Sequence, residues 1–161
     1  MFEGLADSVR SFVAEMPIII RTTLEANEAD LLDKQSKQLL RGLASDGGYL
    51  QPYYSDDSYF KSRESANRYA EWKKSLTYPP HKDDRPTDVP NLYINGKFHS
   101  EIEVEFHSDD LQFVGGTPTA RDIMGKYGEE NFGLTDENWG EVADEYLTES
   151  LKKELLNKIL G

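Results

Sequence analysis

Between Phe98 and Phe106 the side chains alternate: Phe98, Ser100, Ile102, Val104 and Phe106 form one set, and His99, Glu101, Glu103, Glu105 and His107 the other. A period of two puts successive residues on opposite faces, so the pattern predicts a strand with an apolar face on a core and a carboxylate-rich face outward. Ser108, Asp109 and Asp110 interrupt it with turn-forming side chains, and Leu111, Gln112, Phe113 and Val114 can return as an antiparallel partner. Upstream, Asn95-Gly96 is a strong hairpin signal joining Leu92-Tyr93-Ile94 to the long strand. Residues 91–114 are therefore expected to form a three-stranded antiparallel meander, apolar on one side and acidic on the other.

A small sheet with one greasy face needs helices to cover it, and the flanking sequence supplies them. Phe2, Leu5, Val9, Phe12, Val13 and Met16 recur at helical steps, and Pro17 predicts a break or kink after them. Leu24, Leu31, Leu32, Gln35, Leu39, Leu40 and Leu43 predict a second helix, started near Asn27 and stopped by Gly47-Gly48. A short helix is expected after Ser62, with Ala66, Tyr69, Trp72 and Leu76 on one side and Arg63, Lys73 and Lys74 elsewhere. Thr117 and Pro118 are placed to cap and open another helix over 119–126, packing Ile123 and Met124. Thr135 is a good N-cap for a long terminal helix that carries Trp139, Val142, Tyr146, Leu147, Leu151, Leu155 and Ile159, with Leu134 and Trp139 as a hydrophobic staple. The expected fold is α+β: N-terminal helices and a long C-terminal helix packed on a small antiparallel β-meander.

The 161 residues suit a single domain, 1–161. Its parts are an N-terminal helical segment (1–48), an aromatic segment with a short helix and a Pro-rich loop (49–90), the meander (91–114) and C-terminal helices (117–161). Thirty acids against 18 bases give a formal charge of −12, which repels phosphate backbones and argues against sequence-specific nucleic-acid binding. No apolar run approaches the roughly 20 residues that span a bilayer, and Glu3 and Asp7 break the order of a secretory signal, so no membrane partner is expected. With no cysteine there is no disulfide, thiol nucleophile or thiolate zinc site, which fits a reducing compartment.

Three groups are candidates for function. Tyr49, Tyr53, Tyr54, Tyr59 and Phe60 concentrate aromatic area with polar tips, as subunit contacts do. Thr77 to Pro90 is a proline-rich loop long for a compact domain, and Pro79, Pro80 and Arg85 extend the candidate interface into it as an arm toward a neighbouring subunit. Glu101, Glu103 and Glu105 form a row whose neighbours are about 6–7 Å apart, close enough to share a proton or a calcium ion, though a solvated or partner-facing row is the plainer reading. His99 and His107 would lie roughly 26 Å apart on one strand, beyond the reach of one ion. Asp56-Asp57, Asp83-Asp84 and Asp109-Asp110 lack the spacing of a calcium loop, His81 lacks a partner of known spacing, and no phosphate-loop or nucleophile motif occurs. The expectation is a non-enzyme without cofactor or metal.

Four pieces taken in order, QLLRGLASDGGYLQPYY (38–54), YAEWKKSL (69–76), NLYINGKFHSEIEVEF (91–106) and GKYGEENFGLTDENW (125–139), carry a resemblance. The chain resembles small tailed-phage morphogenesis proteins of phages and prophages of Bacteroidetes-type hosts, a group itself similar to neck, head–tail joining and tail-completion proteins. The KYGxxxFGL pattern from Lys126 to Leu134 is the closer match; in the DL-x-x-TGxFY motif Asn91 stands for the acid and Asn95 for the threonine. The resemblance runs from about residue 28 onward. It implies a structural virion protein, made in the host cytoplasm, that forms a sixfold or twelvefold homo-oligomeric ring in the neck or tail region. Such a ring joins portal-side and tail-side neighbours around the DNA channel; from charge alone, and not from the resemblance, Glu101, Glu103 and Glu105 are the candidates to face that channel and keep DNA from sticking to its wall. Two other readings stand beside it: an acidic adaptor for a basic partner protein, and a carboxylate-dependent hydrolase.

Overall fold

A computed structural model of the chain describes residues 2–76 and 84–161. Its elements in order are α1 (Phe2–Ala26), α2 (Glu28–Leu40), α3 (Arg63–Ser75), α4 (Lys97–Ser100), β1 (Ile102–Phe106), β2 (Leu111–Gly115), α5 (Pro118–Tyr127), α6 (Asp136–Val142) and α7 (Thr148–Leu160). Single 3-10 turns at Tyr54–Asp56 and Glu129–Asn131 and a π-helical stretch at Ala143–Leu147 complete it. The architecture is α+β, with N-terminal helices and a C-terminal helical run around a small antiparallel sheet.

The sheet has two strands among the described residues, not three. β1 and β2 pair in the register Ile102↔Gly115, Val104↔Phe113 and Phe106↔Leu111. The expected first strand is replaced by turns. The Asn91 side-chain oxygen accepts from the Tyr93 amide at 3.2 Å, and that of Asn95 from the Lys97 amide at 3.1 Å. Gly96, at φ +82°, then opens the single helical turn α4 instead of closing a hairpin. Phe98 and Ile102 are four residues apart, so a helical turn buries both as well as a strand would. The period of two thus persists only from Ile102, and Glu101 becomes the cap residue of α4.

One core gathers Leu24, Leu31, Leu39, Leu50, Phe98, Ile102, Val104, Phe113, Met124, Phe132, Leu134 and Val142 from α1, α2, the loop after it, α4, both strands, α5, the 132–134 segment and α6. The staple is present in kind: Leu134 is buried, Trp139 packs against the same core, and Thr135 accepts from the Asn138 amide. Thr117 caps α5 as expected. Gln38 locks α2 to the start of α6: it donates to the Gly133 carbonyl at 2.8 Å and accepts from the Thr135 amide and the Asn138 side chain, each at 2.9 Å.

Two helix boundaries differ from expectation. α1 runs through Pro17 without ending. Pro17 and Val13, whose carbonyl loses its donor, are both exposed, so water can satisfy that carbonyl, and α7 packs along the helix. α2 ends at Leu40 because Gly42 takes φ +71°, where a Cβ would stand 2.4 Å from Val89 Cγ1. Gly47 and Gly48 instead turn the chain between the bridged residues Leu43 and Tyr49.

A second, smaller cluster joins Tyr54, Ala66 and Ala70, with Phe60 and Tyr69 against it. Ser62 caps α3 with a reciprocal Ser65 bond. The buried face of that helix is Ala66, Ala70 and Lys73, a step away from the expected Tyr69–Trp72 stripe, and Trp72 is half exposed. The two alanines leave room for the long Lys73 stem beside them.

Candidate assembly surface

α1 and α7 form an antiparallel arm. Lys158, near the end of α7, bonds Glu15 at 2.7 Å and Ser11 at 3.2 Å in the middle of α1, while Leu24 at the end of α1 joins the core. The Lys158 ammonium bond holds the Glu15 carboxyl below its ordinary range, with the Ser11 hydroxyl adding to it. No residue of α7 is buried, and in α1 the first buried residue among those described is Leu24. Leu5, Val9, Val13 (57% exposed) and Ile18 (67%) on α1, and Leu156, Ile159 and Leu160 on α7, meet solvent. Leu5, Val9 and Val13 follow one another at four-residue steps and form one stripe.

The tyrosine-rich segment divides. Tyr54 is buried and meets Phe60 edge-on at 6.3 Å and Tyr69 at 5.2 Å. Tyr53 and Phe60 are partly buried, whereas Tyr49 and Tyr59 (79% exposed) project. Asp57 ties this region to α5 through Lys126 at 2.6 Å. Burial raises the Asp57 pKa, but the Lys126 bond and the Tyr59 amide more than offset it and hold the carboxyl below its ordinary value. Arg85, placed in the candidate interface by sequence, is 2% exposed and turned inward, where its guanidinium donates to the Val89 carbonyl at 2.5 Å. A buried guanidinium satisfies several carbonyls of an irregular loop at once, which explains its place here. Pro79 and Pro80, with His81 and Asp83, lie outside the described residues.

The expected row of three carboxylates becomes two plus one. Glu103 and Glu105 are exposed on the outer face of β1, with the Glu103 carboxylate lying over Gly116. Glu101, the C-cap of α4, is less exposed than these two and is already engaged. It accepts from the Thr117 hydroxyl at 2.9 Å and lies 3.8 Å from Lys97. It braces the cap of α5 rather than extending the row. Among the described residues, no three His, Asp or Glu side chains stand together as a metal would need.

His99 departs furthest from its sequence reading, which turned it outward among the glutamates. It sits in α4, Nε2 2.9 Å from the Asn91 carbonyl and Nδ1 2.8 Å from the Ser36 hydroxyl. A carbonyl only accepts, so Nε2 carries the proton and Nδ1 accepts from Ser36 in the neutral ring. Burial pushes the His99 pKa below its ordinary 6.5, overcoming the Asn91 carbonyl, and the nearby Lys73 charge lowers it further. This group binds α2, residue 91 and α4 together.

Comparison of the chain with protein-family models, curated proteins and solved structures returns no match.

Proposed function

We propose that the chain is a structural subunit that assembles with copies of itself through the α1/α7 arm, as a ring in the connector between the head and tail of a virion. The observation that carries the self-association is the arm's exposed apolar surface: Leu5, Val9, Val13, Leu156 and Ile159 face water on a chain of net charge −12. Apolar side chains exposed along a pair of helices are stabilised when another copy's helices cover them, and like charge elsewhere confines the contact to that surface. The connector role rests on the resemblance of residues 38–54, 69–76, 91–106 and 125–139 to tailed-phage neck and tail-completion proteins. In such a ring the subunit is sixfold or twelvefold, is made in the host cytoplasm and contacts portal-side and tail-side neighbours. Tyr49 and Tyr59 offer a second contact, and Glu103 and Glu105 a charged wall toward DNA. Its work is structural rather than catalytic.

Mass photometry of the purified chain across concentration tests this reading. The expected result is a closed species of six or twelve copies that falls to the single-chain mass in Val9→Glu/Val13→Glu. An open-ended ladder of masses contradicts closure, and a single-chain mass at every concentration contradicts self-assembly in the isolated protein.

A further inference from the structure

The open edge of β2 stands in a cleft of about 630 Å³ lined by all five of its residues, Leu111 to Gly115. The amide of Gly116 donates to the Glu101 carbonyl and that of His107 to the Asp110 carbonyl. Bonded pairs alternate along an antiparallel ladder, so Glu103↔Val114 and Glu105↔Gln112 are the pairs that exchange hydrogen bonds. The amides and carbonyls of Leu111, Phe113 and Gly115 therefore point away from β1. Arg121 donates to the Gly115 carbonyl at 3.2 Å, which leaves Leu111 and Phe113 as the edge that faces the cleft. Edge strands left to solvent are commonly blunted by lysine, proline or a bulge; β2 reads Leu-Gln-Phe-Val-Gly and has none of these.

The opposite wall is the 129–134 segment, in which Phe132 has extended backbone. It is held in place by two residues: Ser45, which also lines the cleft, donates its amide to the Asn131 carbonyl and its hydroxyl to the Glu130 carbonyl, and Gln38 donates to the Gly133 carbonyl. The slot is therefore built before anything enters it. Met124, Leu134 and Trp139 give it an apolar side, and Glu105, Glu129 and Glu130 give it three carboxylates against the one guanidinium already engaged with Gly115.

We propose that this cleft receives an extended segment of a partner protein, with Lys or Arg alternating with apolar residues, which adds to β2 as a third strand. Its main chain bonds Leu111 and Phe113, its apolar side chains meet Met124, Leu134 and Trp139, and its cations meet the glutamates. A second folded copy does not fit this role. Its own β2 edge is recessed behind its own 129–134 wall, and two such edges would have to approach to about 4.8 Å. The site goes beyond the self-assembly reading and is independent of it, since a single chain carries the whole cleft.

The test is a titration of the isotope-labelled full chain with the peptide acetyl-Lys-Val-Lys-Val-Lys-Val-Lys-amide, followed by amide shifts and hydrogen exchange. Leu111 and Phe113 amides are expected to shift and to gain about tenfold or more exchange protection. Of two peptides N-methylated either at the valines or at the lysines, one is expected to lose binding and the other to keep it, because only one set of amides faces β2. Glu129→Gln/Glu130→Gln is expected to weaken binding several-fold with Val104 and Leu134 signals in place. Equal binding by both methylated peptides, unchanged Leu111 and Phe113 at millimolar peptide, or shifts centred on Glu103 overturn the proposal. Protection of Leu111 and Phe113 that grows with protein concentration in the absence of peptide overturns it in favour of a second copy.

Discussion

The body of the molecule and its α1/α7 arm contain similar residues and treat them differently. Leu31 and Leu39 on α2 are completely enclosed, while Val13 and Ile18 on α1 are more than half exposed. Both helices are amphipathic by sequence, so periodicity alone does not separate a helix that has found its cover from one that waits for it. What separates them is the number of layers: α2 packs on β1 and is bonded to the start of α6, whereas α1 and α7 have mainly each other and the π-helical stretch between α6 and α7. A pair of helices can hide one strip on each, and the remaining surface needs a third element to cover it.

The largest effects should mark that divide. Leu39→Ala is expected to cost the single chain about 2–5 kcal/mol by urea unfolding, because it opens a cavity where neighbours cannot collapse. Val13→Ala, at 57% exposure, should change that same unfolding free energy by less than about 0.5 kcal/mol below the assembly concentration. Equal losses at the two sites would erase the distinction between body and arm. A change of the opposite sign sharpens it: Gln35 is fully buried and its side-chain amide has no hydrogen-bond partner among the described residues. Gln35→Met is therefore expected to stabilise the body by about 1–2 kcal/mol, since an unsatisfied polar group is replaced by an apolar one of similar length.

The pH dependence also belongs to the body. The His99 pKa is lowered on folding, so the unfolded chain takes up the proton first. Its contribution is fully present above the ordinary 6.5 and is lost as pH falls below it toward the folded value. Asp57, also lowered, contributes above its ordinary 3.8 and loses that contribution as pH falls further. Urea midpoints measured from pH 8 to pH 3 should decline in these two windows, and His99→Phe should remove the first while leaving the second. The smallest effect separates the glutamates. Glu101→Gln weakens the Thr117 bond and should cost about 1 kcal/mol, whereas Glu103→Gln should leave stability within about 0.5 kcal/mol.

Much of the architecture was legible along the chain because caps and periodicity agreed. Ser62, Thr117 and Thr135 each begin the helix that their hydroxyls announce, and Val104 and Phe106 lie on the inner side of a strand as their spacing requires. The third strand failed where two devices compete for one motif. Asn95-Gly96 suits a hairpin and a helical turn alike, and the local bond from Asn95 to the Lys97 amide goes with the latter. Interface residues were harder to read, since aromatic content marks a cluster without saying which rings face inward: Tyr54 closes a core of its own while Tyr59, five residues on, projects. The arm was invisible as a surface because its residues satisfy the helical pattern completely. Only the absence of a cover reveals it, and that is a property of three dimensions.

Hydrogen exchange of the α1 amides from Gly4 to Ala14, measured at low and high protein concentration with the Val104 amide as internal reference, tests the covering of the arm most directly. Protection across Leu5, Val9 and Val13 is expected to rise with concentration while Val104 stays constant. Protection of the arm that is the same at every concentration would contradict the account.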